Sequence, residues 1–269
     1  MIALVPMTFH YAVRDFLGFN RTQNQDSAYA SHQLIAVADG MGGHAGGDIA
    51  SSLAIDTMVS SVAECKTVNS ASDLVEMARL ASVSIREAVK NDTQLSGMGT
   101  TLTTVLCTGS TIALAHIGDS RAYRLRGRTL TLLTHDDTYV QTLVDTGEIT
   151  VAEAWKHPMR SMVTNVLTGQ DVGPDDAQQG TFDARLADRW LLCSDGLSGF
   201  VPEEALQACL AAGDDAAETA EALVQLSKEA QARDNVTVIV ADIVPDETPG
   251  QSKLKPIVVG AAADRVRLQ

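Results

Sequence analysis

Runs of branched and aliphatic residues, bounded by Gly, Asp and Ser, alternate along the chain with segments of helical periodicity. The run "QLIAVAD" (33–39) reads as a buried strand that ends at Asp39. From Gly47 the pattern turns helical: Ile49, Leu53, Thr57 and Met58 share one face, with Ala50 and Ala54 beside them. A second helix is predicted over about 72–90, with Leu74, Met77, Ala78, Ala81, Ile85 and Ala88 as its stripe and Ser72 as its N-cap. "TTLTTVLCT", "TIALAHI", "RAYRLR" and "TLTLLT" follow, separated by Gly109-Ser110, "GDS" and Gly127. Threonine and branched residues punctuated this way predict an antiparallel meander, with Asp119 in a hairpin turn.

Residues 138–180 break this rhythm with short helical patches and no long apolar period, and are expected to form a small inserted flap. "DRWLLCS" is again a strand, ending at Asp195-Gly196. Helices are predicted over about 203–211 and 216–230, and "NVTVIVADI" closes the pattern as a strand directly after Asp234. The last stretch, 245–269, mixes Pro, Gly and charge and is expected to be a loosely packed tail.

With 269 residues the chain is long enough for one large domain or two small ones. Aromatic residues make up only 4%, so the core must rest on Leu, Val, Ile and Ala. The formal charge of −14 argues against nucleic acid and anionic membranes as general partners and suits a protein that concentrates cations, although solubility alone also explains it. Cys65, Cys107, Cys193 and Cys209 lack the close spacing of a zinc or redox motif. Cys107 and Cys193 read as core thiols. No signal peptide and no membrane-length apolar run is evident, so a cytoplasmic location is expected.

Four aspartates recur in one setting. Asp39 and Asp195 each end a strand and precede Gly, Asp119 sits in a turn, and Asp234 opens a strand. Taken singly, each also fits a capped turn, since Asp-Gly and Gly-Asp-Ser are common turn words. Taken together at strand ends, they could converge on one edge, where they would repel unless a cation neutralised them. All-oxygen ligation favours Mg²⁺ or Mn²⁺ over Zn²⁺. Two such ions ~3.5–4 Å apart lower the pKa of a shared water and clamp both ends of a phosphoryl displacement.

The sequence resembles the type 2C metal-dependent serine/threonine protein phosphatases, in particular their compact bacterial members. The resemblance rests on "RTQNQDS" (21–27), "VADGMGGHAGG" (37–47), "GMGTTL" (97–102), "HIGDSRAYRLR" (116–126), "GEIT" (147–150), "CSDGLSGFV" (193–201) and "RDNVTVIV" (233–240), in the family's order and spacing. It implies an α+β fold, a four-layer α-β-β-α sandwich whose two central antiparallel sheets are flanked by helices. The phosphatase domain would span residues 8–244 with the flap at about 138–180, leaving 245–269 as a C-terminal tail. Asp39 matches the carboxylate that bridges two metals, and Gly40 the residue whose carbonyl serves the second. Asp195 and Asp234 match ligands of the first metal. Asp119, with Asp195, matches a weaker third site, and Asp26 an acidic position that contacts metal-bound water. Arg21 matches the arginine that grips the substrate phosphate, a role suited to a bidentate guanidinium.

The implied reaction is hydrolysis of phosphoserine and phosphothreonine in proteins by a metal-bridged hydroxide, with no phosphoenzyme. The implied partners are a bacterial serine/threonine kinase and its substrates, and a monomer is expected. His44 is a candidate general acid or substrate contact, or else a loop-satisfying hydrogen-bond partner. No GK[ST] follows the glycines at 42, 43, 46 and 47, which argues against a nucleotide P-loop. Ser120 and Ser194 lie outside any nucleophile elbow. Two departures from the family pattern border the flap: Asp136-Asp137-Thr138 where Asp-His-Ser is frequent, and Asn165 in place of an arginine. Two other functions stay open on sequence grounds: a non-catalytic phosphoprotein-binding module of the same fold, and hydrolysis of small phosphoesters or nucleotides.

Overall fold

The structure, a computed structural model, describes residues 5–42, 46–64, 68–173, 175–246 and 254–263. Its strands are β1 (Met7–Phe16), β2 (Asp26–Ala30), β3 (Leu34–Met41), β4 (Gly99–Thr100), β5 (Leu102–Cys107), β6 (Thr111–Ile117), β7 (Arg121–Arg126), β8 (Thr129–Leu132), β9 (Gln178–Asp183), β10 (Arg189–Cys193), β11 (Val236–Pro245) and β12 (Ile257–Gly260). Its helices are α1 (Gly47–Glu64), α2 (Ala71–Asn91), α3 (Tyr139–Asp145), α4 (Val151–Ala154), α5 (Asp195–Ser198), α6 (Glu203–Leu210) and α7 (Ala216–Glu229).

Two antiparallel sheets stack face to face. One runs β1-β11-β10-β7-β8; the other runs β12-β2-β3-β5-β6-β9, with β4 paired to β3. The strand sequences explain the layering. Along β3, Leu34, Ala36 and Ala38 face α1 and α2, while Ile35 and Val37 face the other sheet. Along β11, Val236, Val238 and Val240 face α6 and α7, while Ile239, Ala241 and Ile243 enter the space between the sheets. Both faces of the central strands are therefore dry, which is why they read as continuous apolar runs rather than alternating ones. The expected α-β-β-α sandwich is the observed fold.

Helix α1 turns Ala50, Ala54, Ile55 and Met58 fully inward, and Ile49 and Leu53 are only half-buried. Helix α2 begins at Ala71 rather than near 72, and its cap is Ser70, not Ser72. Ser70 Oγ accepts from the Asp73 amide and the Asp73 carboxylate accepts from the Ser70 amide. That closes a capping box with Asp in the place more often held by Glu.

Two further expectations change. The meander is not continuous: β5–β6 and β7–β8 are hairpins, but β6 and β7 lie in different sheets. Gly118-Asp119-Ser120 is a crossover between the sheets, not a hairpin turn. The C-terminal stretch is not loose throughout, because β12 pairs with β2 from Ile257↔Ala30 to Gly260↔Ser27. Tyr11 Oη donates to the carbonyls of Leu254 and Lys255, and Ala262 is buried behind the strand. Its four residues are too few to show a period between Pro256 and the following helical turn. Cys107 and Cys193 are buried thiols, as expected. Among the described residues no helix is long and apolar enough to cross a membrane.

Candidate metal centre

The sandwich gathers the aspartates at one end. Asp26 and Asp39 are register partners on β2 and β3. Asp195 begins α5 immediately after β10, Asp234 precedes β11, and Asp119 lies on the crossover. Asp39, Gly40, Asp119, Asp195, Asp234 and Arg21 line one cavity of about 210 Å³. Asp26 stands behind Asp39, fully buried.

Backbone contacts make this convergence possible. A Cβ on Gly196 would lie 1.9 Å from the Asn235 carbonyl oxygen, so glycine is what lets the loop after β10 touch the loop before β11. That contact places Asp195 beside Asp234. At Gly40 a Cβ would lie 2.1 Å from the Gly47 carbonyl oxygen, so glycine here lets α1 begin against the end of β3. The glycine following Asp39 thus serves a chain-to-chain approach, while its own main chain lines the cavity.

Threonines and an asparagine hold the ring in shape. The Asp39 amide donates to Thr101 Oγ1 at 2.9 Å, and Thr100 Oγ1 donates to the Asp39 carbonyl at 2.9 Å. Thr103 Oγ1 donates to the Ser120 carbonyl at 3.0 Å, fixing the crossover from the other side. Asn235 Nδ2 donates to the carbonyls of Leu17 (2.7 Å) and Gln23 (3.1 Å), and its Oδ1 accepts from the Gln25 amide (2.9 Å). The loop that carries Arg21 is thereby tied to the start of β11. These supporting roles were not read from the sequence, although "GMGTTL" and "RDNV" contain Thr100, Thr101 and Asn235. Their partners are too distant along the chain for spacing to reveal them.

The flap departures form a second clamp. Asp137 Oδ2 accepts from the Gly118 amide (2.9 Å) and from Asn165 Nδ2 (3.1 Å), and Asn165 also donates to the Asp176 carbonyl (2.8 Å). Arg121 donates bidentately to Asp136, with contacts of 2.6 and 2.9 Å. His116 is a core group between Thr103 Oγ1 and the His135 carbonyl, and burial pushes its pKa down.

The electrostatics are those of an uncompensated acidic ring. Burial raises the Asp26 carboxyl to about 7, with Asp195 and Asp234 adding to the effect and hydrogen bonds from Ser194 and Thr237 (2.7 Å each) opposing it. Burial raises Asp195 to about 6, with the Asp234 charge adding and a hydrogen bond with Asp39 offsetting. Asp39 is held well above the usual range by burial and then by Asp26, Asp195, Asp119 and Asp234. Asp119 is raised by burial and by Asp195. The Oδ1 atoms of Asp26 and Asp195 are buried without a hydrogen-bond partner. Arg21 Nη2 donates to Asp234 Oδ2 at 2.7 Å and, among the described residues, is the one cation lining the small cavity.

Crowded carboxylates, orphaned carboxylate oxygens and an all-oxygen donor set fit hard divalent cations. Among the described residues no group of three or more His, Cys, Asp or Glu side chains is placed to close on one metal ion. His44 lies outside the described residues.

Fold and site together define a two-sheet sandwich protein with an acidic centre at one end. The profile of the family described as Protein phosphatase 2C matches residues 19–236, and the chain belongs to that family. It is 43% identical over 262 residues to the serine/threonine protein phosphatase PstP of Mycobacterium tuberculosis, covering 97% of this chain and 50% of that protein. It therefore spans half the length of that relative. Protein phosphatase PhpP of Streptococcus pneumoniae is 31% identical over 84% of this chain and 94% of its own length. The crystal structure of the catalytic domain of a serine/threonine protein phosphatase PstP in complex with 2 manganese ions superposes with a TM-score of 0.82 at 42% identity, covering 88% of this chain and 99% of that one.

Proposed function

We propose that this chain hydrolyses phosphoserine and phosphothreonine in proteins with the help of bound Mn²⁺ or Mg²⁺. The observation that carries this reading is the ring of aspartates, drawn from positions 39 to 234, around one cavity that also admits Arg21. Asp39, Asp195, Asp234 and the Gly40 carbonyl would hold two ions. Asp119, with Asp195, would hold a weaker third, and Asp26 would act through water from behind. When bound, the ions supply Lewis acidity to phosphoryl oxygens and bring the pKa of water near neutrality.

The chain's own residues do the rest. Arg21 has guanidinium nitrogens beyond the Nη2 held by Asp234, and these orient an incoming phosphate dianion. Asp39, Asp195 and Asp234 would hold the ions, and transition-state charge would then meet preorganised partners. His44 is the candidate proton donor to the leaving alkoxide. The substrates would be those of a bacterial serine/threonine kinase, met in the cytoplasm by a monomeric enzyme. The two manganese ions in the PstP catalytic-domain structure favour Mn²⁺ for this chain also.

The test is hydrolysis of a phosphothreonine peptide and, in competition, of small phosphate esters, with Mn²⁺ and then with excess chelator. Peptide turnover that chelator abolishes is expected. Turnover that survives chelation would overturn the metal role, and preference for small esters would overturn the protein substrate.

A further inference from the structure

The small acidic cavity opens into a far larger groove of about 1080 Å³, and the two share Arg21, Asp119, Asp195 and Asp234. A phosphorylated side chain occupies only the small cavity. The groove has the upper-end volume of sites that enclose a drug-sized molecule, enough for several residues of polypeptide. One wall belongs to the flap, where Val140, Val144, Val151 and Trp155 face the opening, and the opposite wall carries Phe200 and Pro202. Arg160 ties the walls together: it donates to the Gly199 carbonyl at 3.0 Å and lies 5.3 Å from the centre of the Phe200 ring.

The flap's apolar side chains are uncovered in an unusual concentration. Val151 is 74% exposed and Trp155 37%, with Tyr139, Met159 and Met162 exposed in the same 24-residue stretch, 139–162. Of these, Val151 and Trp155 line the groove, and exposed apolar side chains next to a reactive centre mark a binding surface more often than chance exposure does.

We infer that this groove seats the polypeptide beside the phosphoresidue, and that it selects substrates with a bulky apolar side chain close to the phosphorylated serine or threonine. The inference rests on the phosphatase reading for what fills the small cavity. Continuity fixes the occupant: whatever presents a phosphate to Arg21 must lay its flanking chain along Trp155, Val151 and Phe200. Burying a large aliphatic side chain there in place of alanine is worth about tenfold or more in specificity.

The experiment compares phosphothreonine peptides that differ only by Leu or Ala at one flanking position, scanned over each side of the phosphoresidue. At one or more positions the Leu peptide is expected to show a kcat/KM about tenfold or more above its Ala partner. In a Trp155→Ala, Val151→Asp double variant that ratio falls to near one, and a thermal melt of the variant checks that the fold is kept. A ratio near one throughout in the wild type, or a wild-type ratio in the variant, would overturn the inference. A second arm reads binding without turnover, with the unphosphorylated Leu and Ala peptides and the Mn²⁺-loaded protein. Trp190 is fully buried, so a blue shift in tryptophan emission on adding the Leu peptide reports on Trp155. A shift with no hydrolysis of any peptide would leave the groove standing and remove the phosphatase reading. Equal hydrolysis of both peptides with no shift would do the reverse.

Discussion

At the residue scale the chain sets buried carboxylates against one another, and that arrangement has opposite consequences with and without metal. Asp39 is raised by burial and four neighbouring acids, so removing its charge relieves repulsion in the metal-free protein. Asp39→Asn is expected to raise the metal-free melting temperature at pH 7.5 by about 2–4 °C, the response of a domain this size to roughly 1 kcal/mol. The same variant is expected to lose most turnover. Thermal unfolding without metal, alongside a peptide assay with Mn²⁺, measures both; a destabilised metal-free Asn variant would contradict the account. Asn235 carries a different load. It is buried and makes three hydrogen bonds to the Arg21 loop, so Asn235→Ala should destabilise by about 2–3 kcal/mol. It should also raise KM, because Arg21 loses its tether, and Michaelis kinetics with denaturant melts check both effects.

At the element scale the crossover from β6 to β7 matters most. It brings Asp119 from the periphery of a supposed hairpin to the seam between the sheets, where Asp195 stands. The sequence could not distinguish these outcomes, since Gly-Asp-Ser suits a hairpin and a crossover equally. What decides is Asp137, whose carboxylate holds the Gly118 amide, and Thr103, which holds Ser120. Asp137→Ala leaves that amide unpartnered and should cost about 1–3 kcal/mol. The Mn²⁺ concentration for half-maximal activity should rise in this variant, read from metal titrations of rate; an unchanged metal dependence would mean the clamp does not position Asp119. Strands β3, β5, β10 and β11 were legible because both of their faces are dry. Strands β1 and β9 carried no such run, β2 is buried along its whole length but is too short and polar (Asp-Ser-Ala-Tyr-Ala) to show one, and β12 hid behind Pro256 and its charged surroundings.

At the scale of the whole molecule, the acidic site was legible as a set of residues but not as a geometry. Strand ends marked Asp39, Asp195 and Asp234, yet nothing in the chain says that Ser194 and Thr237 clasp Asp26, or that Gly196 meets Asn235. Those are facts of sheet stacking. The site also sets how stability depends on pH. Burial pushes Asp26 and Asp195 up, to about 7 and about 6, above the ~3.9 of an unfolded aspartate. Between about pH 4 and 7 the folded state therefore binds more protons than the unfolded chain. Metal-free stability should fall as pH rises through this window. Mn²⁺ replaces those protons, so it should raise the melting temperature more at pH 7.5 than at pH 5. Scanning fluorimetry at the two pH values checks the sign.

The most direct measurement is calorimetric titration of Mn²⁺ into the metal-free protein at neutral pH, beside Asp39→Asn. The wild type should take up at least two ions per chain and release protons as it does so, and the variant should lose at least one of those ions. A wild type that takes up none, or a variant that binds as the wild type does, would contradict a metal centre built on this ring of aspartates.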